Sequence, residues 1–365
     1  IKGVVGDLNL TDVDVSALIV QVKYIENLPE ISWKTKELMN TTKLVINLRQ
    51  LVTKDMWEAC AIFLDNTDIS GFDQKEVIAE FDLVLYHLKF RNAVSLMERA
   101  LVTDCVFIDG KDGIEISPDA NVKKISHALT LAQGLVEVPE INISNVKFKS
   151  LLATIELMCS MRSAGRLSKW EAVKVDIDKC IDLVEQKLFY KTAADEVNRA
   201  EDFYFAWKIS TTLSTAISTG SIQLDSNGNL FREGVEYHQI ETALNLVQDM
   251  KTNNSKSNDI LNGAMALYQV RNAAKNNDLE SLGIVMQELK EINQPSIASE
   301  INTAKKILND YYIHLKLNKA LNDIDHVEDE QEFQILLRKV KTEHGGGTSK
   351  RAIKFVTLCD YIVTL

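Results

Sequence analysis

Proline and glycine are scarce: 365 residues hold only 4 prolines and 15 glycines. So few chain breakers exclude a fold built on many tight turns and favour long helices. Long apolar runs are also missing. No stretch approaches the roughly 18 residues that a membrane span requires, so we expect no membrane insertion. Positive charge is in deficit, with 41 Lys and Arg against 52 Asp and Glu, a net charge of −11. An acidic chain is a poor counterion for phosphate, which argues against nucleic acid as a partner. The basic spots, Lys147 to Lys149 and Lys350–Arg351, are short and read as solvated helix faces.

Cysteine is sparse as well. Cys60, Cys105, Cys159, Cys180 and Cys359 lie far apart, which excludes metal-knuckle spacing. Their odd number in a large chain fits reduced thiols in a cytoplasmic setting. The six histidines (His87, His127, His238, His314, His326, His344) show no ligand spacing. No Walker loop, no Gly-x-Gly-x-x-Gly and no Gly-x-Ser-x-Gly elbow occurs. Asn-x-Ser/Thr patterns at Asn9, Asn40, Asn142 and Asn253 are expected by chance. The chain starts at Ile1 without a charged-then-apolar leader, and we read it as a segment of a longer polypeptide.

What is present is internal repetition, about three and a half copies of a unit of roughly 110 residues. Arg49 is followed by Trp57–Glu58–Ala59, Arg162 by Trp170–Glu171–Ala172, and Arg271 by Leu279–Glu280–Ser281. Ahead of each arginine runs an apolar face at helical spacing: Leu44, Val45 and Leu48, then Leu157, Met158 and Met161, then Ala266, Leu267 and Val270. An earlier helix repeats as Val15–Leu18–Ile19–Val22–Ile25, Ile125–Ala128–Leu129–Ala132–Leu135 and Ile240–Ala243–Leu244–Val247. Pro29 and Pro139 follow the first two of these faces, where proline ends a helix. A long helix of about 25 residues recurs around Phe81–Leu101, Val197–Ile217 and Ile301–Leu321.

These patterns predict an all-α fold, an α-solenoid of tandem antiparallel helix hairpins with about four helices per unit. We divide it as 1–109, 110–224, 225–326 and a partial unit 327–365. By this register the residue after Leu365 in a parent chain would be the fourth arginine. Two loops, Val106–Ile116 and Ile222–Phe231, alternate apolar residues around Asp/Asn/Gly and predict small β-hairpins at two unit junctions.

The recurrent positions are Arg49, Trp57, Glu58, Arg162, Trp170, Glu171, Arg271, Leu279 and Glu280. We read each Arg–Glu combination as a pair that fixes the turn between two helices, each charge suiting its helix dipole. Trp57 and Trp170 read as core aromatics, a place that Leu279 takes in the third unit. Asp225, Asn227, Asn229 and Glu236 resemble an EF-hand count, but Leu230 stands where the loop needs glycine. His344–Gly347 reads as a flexible connector. We expect no catalytic, cofactor-binding or metal-binding residue, no cofactor and no small-molecule substrate. The partners expected are other proteins in a large cytoplasmic assembly, by analogy cytoskeletal or ciliary. The alternative is a regulatory peptide- or calmodulin-binding module, with Lys339–Leu365 as the basic amphipathic stretch.

Overall fold

The computed structural model describes residues 15–68, 75–136, 146–224, 230–231, 235–288, 295–322 and 327–364. Among the described residues the chain is mostly helical, with fourteen α-helices and four short strands. The all-α class is therefore as the sequence predicts.

Helices α1 (Val15–Glu26), α2 (Trp33–Thr53), α3 (Trp57–Asp65) and α4 (Lys75–Val102) lead to a hairpin of β1 (Phe107–Asp109) and β2 (Ile114–Ile116). Then come α5 (Lys123–Val136), α6 (Val146–Arg166), α7 (Trp170–Glu185), a short 3-10 turn (Lys191–Ala193) and α8 (Ala194–Ile217). A second hairpin pairs β3 (Gln223–Leu224) with β4 (Leu230–Phe231) in antiparallel register. It precedes α9 (His238–Val247), α10 (Ser255–Asn276), α11 (Leu279–Glu288) and α12 (Pro295–Asn322). The last two helices are α13 (Val327–His344) and α14 (Lys350–Thr364). Pro139 and residues 323–326, at the third junction, lie outside the described residues, as do Asp225, Asn227 and Asn229 of the EF-hand count.

Helix boundaries follow local chemistry. Ser32 caps α2 by accepting the Thr35 N–H, three residues after Pro29 has ended the preceding direction. Asn254 caps α10 by accepting from Ser257 N–H. Glu58, Glu171 and Glu280 sit in the first turns of α3, α7 and α11, where a negative charge suits the helix dipole.

The turns that end α2, α6 and α10 are built the same way. Asp55, Ser168 and Asn277 adopt left-handed backbone, with φ of 59°, 54° and 56°. The next amide in each case reaches back across the turn: Met56 N–H to Leu51 O, Lys169 N–H to Ala164 O, Asp278 N–H to Ala273 O. This is the Schellman arrangement, which satisfies helix-end carbonyls with backbone alone. Gly345, Gly346 and Gly347 connect α13 to α14, all at positive φ, which glycine adopts without penalty.

The chain forms two compact units, Ile1–Ile108 with Glu115–Glu201, and Asp109–Ile114 with Asp202–Leu365. In the first, α4 packs against α5 and α6, and α6 against α7. The apolar stripes find their cores: Val45 and Leu48 meet Phe81 and Val84. In the second unit Ile240, Leu267, Val270, Ile301 and Ala304 belong to one cluster. Each fully buried Leu, Ile or Val contributes about 1.5–3 kcal/mol. The apolar face of α14, Val356 and Cys359, packs with Phe333, Leu337 and Ile313. Within the stretch read as a calmodulin target, Val340, Val356 and Cys359 thus pack inside the chain, while Ile353, Leu358 and Tyr361 are exposed.

Candidate functional site

Three arginines that recur in the sequence occupy three related sites. Arg162 on α6 and Arg271 on α10 are buried, at 1% and 0% exposure, and Arg49 on α2 is nearly so. A guanidinium removed from water needs both a counter-charge and acceptors for its five N–H groups. Each arginine finds its carboxylate at the start of the following long helix. Arg49 grips Glu80 through Nε (2.5 Å) and Nη2 (2.6 Å). Arg162 grips Glu196 through Nε (3.1 and 3.0 Å) and Nη2 (2.6 Å). Arg271 grips Glu300 through Nε (2.8 Å) and Nη2 (2.9 Å).

This corrects the turn-fixing pairs Arg49–Glu58, Arg162–Glu171 and Arg271–Glu280. The turns are closed by the Schellman backbone bonds, so the arginines are not needed there. Their planar forks instead meet carboxylates bidentately across the helix packing. The hydrogen bonding that Arg49 donates to Glu80 holds the guanidinium above its ordinary pKa, outweighing burial.

The remaining arginine N–H groups of the second and third sites go to the end of the preceding long helix, with one further bond to Glu236 O ahead of α9. Arg162 Nη2 donates to Leu101 O (3.1 Å), and Nη1 donates to Ala100 O (2.8 Å) and Thr103 O (3.1 Å). Arg271 Nη2 donates to Ile217 O (2.8 Å), and Nη1 to Thr219 O and Glu236 O (3.2 Å). The glutamate completes the circuit: Glu196 accepts the Val106 N–H (2.9 Å) and Glu300 accepts the Ile222 N–H (2.8 Å). So each pair clamps a six-residue helix end, Leu101–Val106 or Ile217–Ile222. The fourth residue is left-handed in both, Asp104 (φ 57°) and Gly220 (φ 65°). A helix end exposes unsatisfied carbonyls, and a cation is the natural partner for them.

Arg49 differs. Among the described residues its buried Nη1 meets no hydrogen-bond acceptor.

Trp57, Trp170 and Leu279, read from the sequence as core residues, are each half-buried, and Trp57 and Leu279 pack against hydrophobic clusters. Trp57 packs at the margin of a cluster with Leu64 and Leu88, and its ring carries the Arg91 guanidinium at 4.7 Å. Its indole N–H donates to Asp55. A helix-start aromatic with one apolar side and one N–H is satisfied at such a margin. Trp57 and Arg91 also line an open groove of about 1000 Å³, with Glu58, Glu98 and Lys147 on its walls. Near Lys147, Tyr190 donates to Glu98 (2.6 Å), and burial together with that bond pushes the phenol up to about 12.

The sequence reading missed Glu80, Glu196 and Glu300. A signal for them was present. Each directly precedes a residue already placed in register, Phe81, Val197 or Ile301.

Among the described residues, no group of three or more His, Cys, Asp or Glu side chains could hold a metal ion. Nor is any helix among them long and apolar enough to cross a membrane. No protein-family model, no curated protein and no solved structure matches the chain.

Proposed function

We propose that the chain is a helical-repeat array, an α-solenoid, acting as a non-enzymatic scaffold inside a large intracellular assembly of the cytoskeletal or ciliary kind. The observation that supports this reading most is the clamp. A buried arginine–glutamate pair that grips the end of the preceding long helix is a joint between successive helical stretches, and it is made twice with the same atoms. Joints of this type suit a quasi-one-dimensional stack, in which each unit touches its neighbours and leaves long faces for protein partners. The four stretches 1–109, 110–224, 225–326 and 327–365 are the units of that stack. The clamp groups are spent on backbone carbonyls and amides, which is structural work.

In-cell cross-linking from exposed helix positions such as Val175, Ile181 and Leu246 tests the scaffold reading. We expect cross-links to a fixed set of neighbouring proteins, mapped to defined helices. A chain that yields none in its native setting, or one that turns over a substrate when isolated, contradicts it.

A further inference from the structure

The helices that start at Trp57, Trp170 and Leu279 share a second regularity, on the side away from the core. Their inward faces are set by Cys60 on α3, Val173 on α7 and Leu282 on α11, each at 0% exposure. Two residues further on, about 200° round a helix, stand Ile62, Val175 and Ile284, exposed at 64%, 52% and 61%. Counted from Arg49, Arg162 and Arg271, these three occupy one register position of the repeat. Among the described residues, no other register position exposes a large apolar side chain in all three copies. A single exposed aliphatic residue needs no explanation. Core packing does not ask for one at the same outward place three times.

Acids flank each of these residues on the same helix face. Four residues before stands an exposed glutamate: Glu58, Glu171 or Glu280. Three residues after stands exposed Asp65, Asp178 or, in the third copy, Gln287. Residues at these spacings are surface neighbours on a helix. On α7 the face extends by another turn through Ile181, Asp182, Val184 and Glu185, all exposed. Lys174 reaches Asp178 at 2.8 Å, a solvent-screened surface pair that an incoming cation can exchange.

We infer that these three faces are docking sites for cationic amphipathic helices of a partner protein. An aliphatic residue of each such helix lies on Ile62, Val175 or Ile284, with lysine or arginine against the flanking acids. This rests on the scaffold reading and names the chemistry of its partner. Charge complementarity sets the sign, since the faces are acidic and the chain carries −11. The chain's own stretches do not supply the occupant. Everything outside the described residues holds only three basic side chains, Lys2, Arg232 and Lys290. The basic amphipathic stretch Lys339–Leu365 already packs Val340, Val356 and Cys359 into a core, and one stretch cannot cover three faces. All three helices are internal. Each is followed by a long helix, α4, α8 or α12, and on α7 the connection to the next helix is described throughout while the face stays exposed.

The probe is a synthetic helical peptide with a leucine stripe edged by lysine, titrated calorimetrically into the full chain. We expect saturable binding that weakens as salt is added. The combined variant Ile62→Lys, Val175→Lys, Ile284→Lys should weaken it about tenfold or more, because like charges then meet. The combined variant Leu246→Lys, Met265→Lys, Leu315→Lys adds the same charge at exposed positions elsewhere and should leave binding nearly unchanged. Circular dichroism checks that both keep native helical content. Absence of saturable binding overturns the inference, as does an equal loss in the two variants, or equal binding by a peptide with glutamate in place of lysine. Self-association of the chain that the first variant abolishes would assign the faces to a second copy and overturn the partner protein. If the peptide fails but cross-links to neighbouring proteins persist from other helices, the scaffold reading stands and only this inference falls.

Discussion

The Glu196 carboxylate lies 2.6 Å from Nη2 of Arg162 while it also accepts the backbone N–H of Val106. One carboxylate thus ties a long-helix start to a buried cation and to the chain that leaves the previous long helix. Removing either partner strands several groups at once. We expect Arg162→Met to cost about 3–5 kcal/mol, the range for breaking a buried pair. Urea denaturation followed by circular dichroism measures it. The double variant Arg162→Met, Glu196→Met should recover only part of the loss, because three carbonyls and one amide stay unpaired. Full recovery would show that the pair, and not the clamped helix end, carries the energy.

Arg49 should matter less to stability than Arg271. Both make the carboxylate fork, but among the described residues only Arg271 of the two also holds carbonyls. Arg49→Met should cost about 1.5–3 kcal/mol, as for hydrogen bonds to a charged group, against about 3–5 kcal/mol for Arg271→Met. Equal losses in matched melts would contradict the assignment of the difference to the carbonyls that Arg271 holds.

Gly165 admits the start of the first hairpin against α6. Gly165→Ala places a methyl within 2.9 Å of the Phe107 ring and should cost about 1–3 kcal/mol, the usual penalty for overpacking. Phe107→Leu in the same chain should restore part of that loss, which a thermal melt of the double variant reads.

Ser168 closes the α6 turn in left-handed backbone, a conformation that costs a non-glycine residue roughly 1–2 kcal/mol. Ser168→Gly should therefore stabilise the chain by about 0.5–1 kcal/mol after glycine's own entropy is counted. A fall in stability would mean that the serine side chain makes a contact worth more than the strain.

Acid should destabilise the protein. Burial, then the nearby Arg91, lowers the pKa of His87, and burial, then Arg351, lowers that of His314. A histidine held below its unfolded value of about 6.5 binds fewer protons folded than unfolded, so its contribution is present above that pH and is lost as pH falls. Melting temperature should drop as pH is lowered below about 6.5, and His87→Gln should flatten part of the slope. A pH-independent melt through this window would rule the effect out.

Much of the fold was legible because helical periodicity survives in the residues that face a core. The stripe Val45–Leu48 and its counterparts Met158–Met161 and Leu267–Val270 are buried as their spacing predicts. Both hairpins were legible from alternation around Asp, Asn and Gly. The clamp was not, for a physical reason. Its two charges lie on different helices, and the connections between those helices vary in length. Arg49 and Glu80 are 31 residues apart, Arg162 and Glu196 34, and Arg271 and Glu300 29. A search for charges at one fixed spacing finds Glu58 and Glu171 near at hand and stops there. The Schellman turns were also invisible, since Asp55, Ser168 and Asn277 share a backbone conformation and not a residue type.

Hydrogen exchange on the full chain, comparing Arg162→Met with the parent, tests the clamp as a joint between successive stretches most directly. Protection should fall at the end of α4 and at the Val106 amide, and remain at Ile217–Ile222, where the Arg271–Glu300 clamp is intact. Unchanged protection at Val106, or a uniform loss along the whole chain, would contradict it.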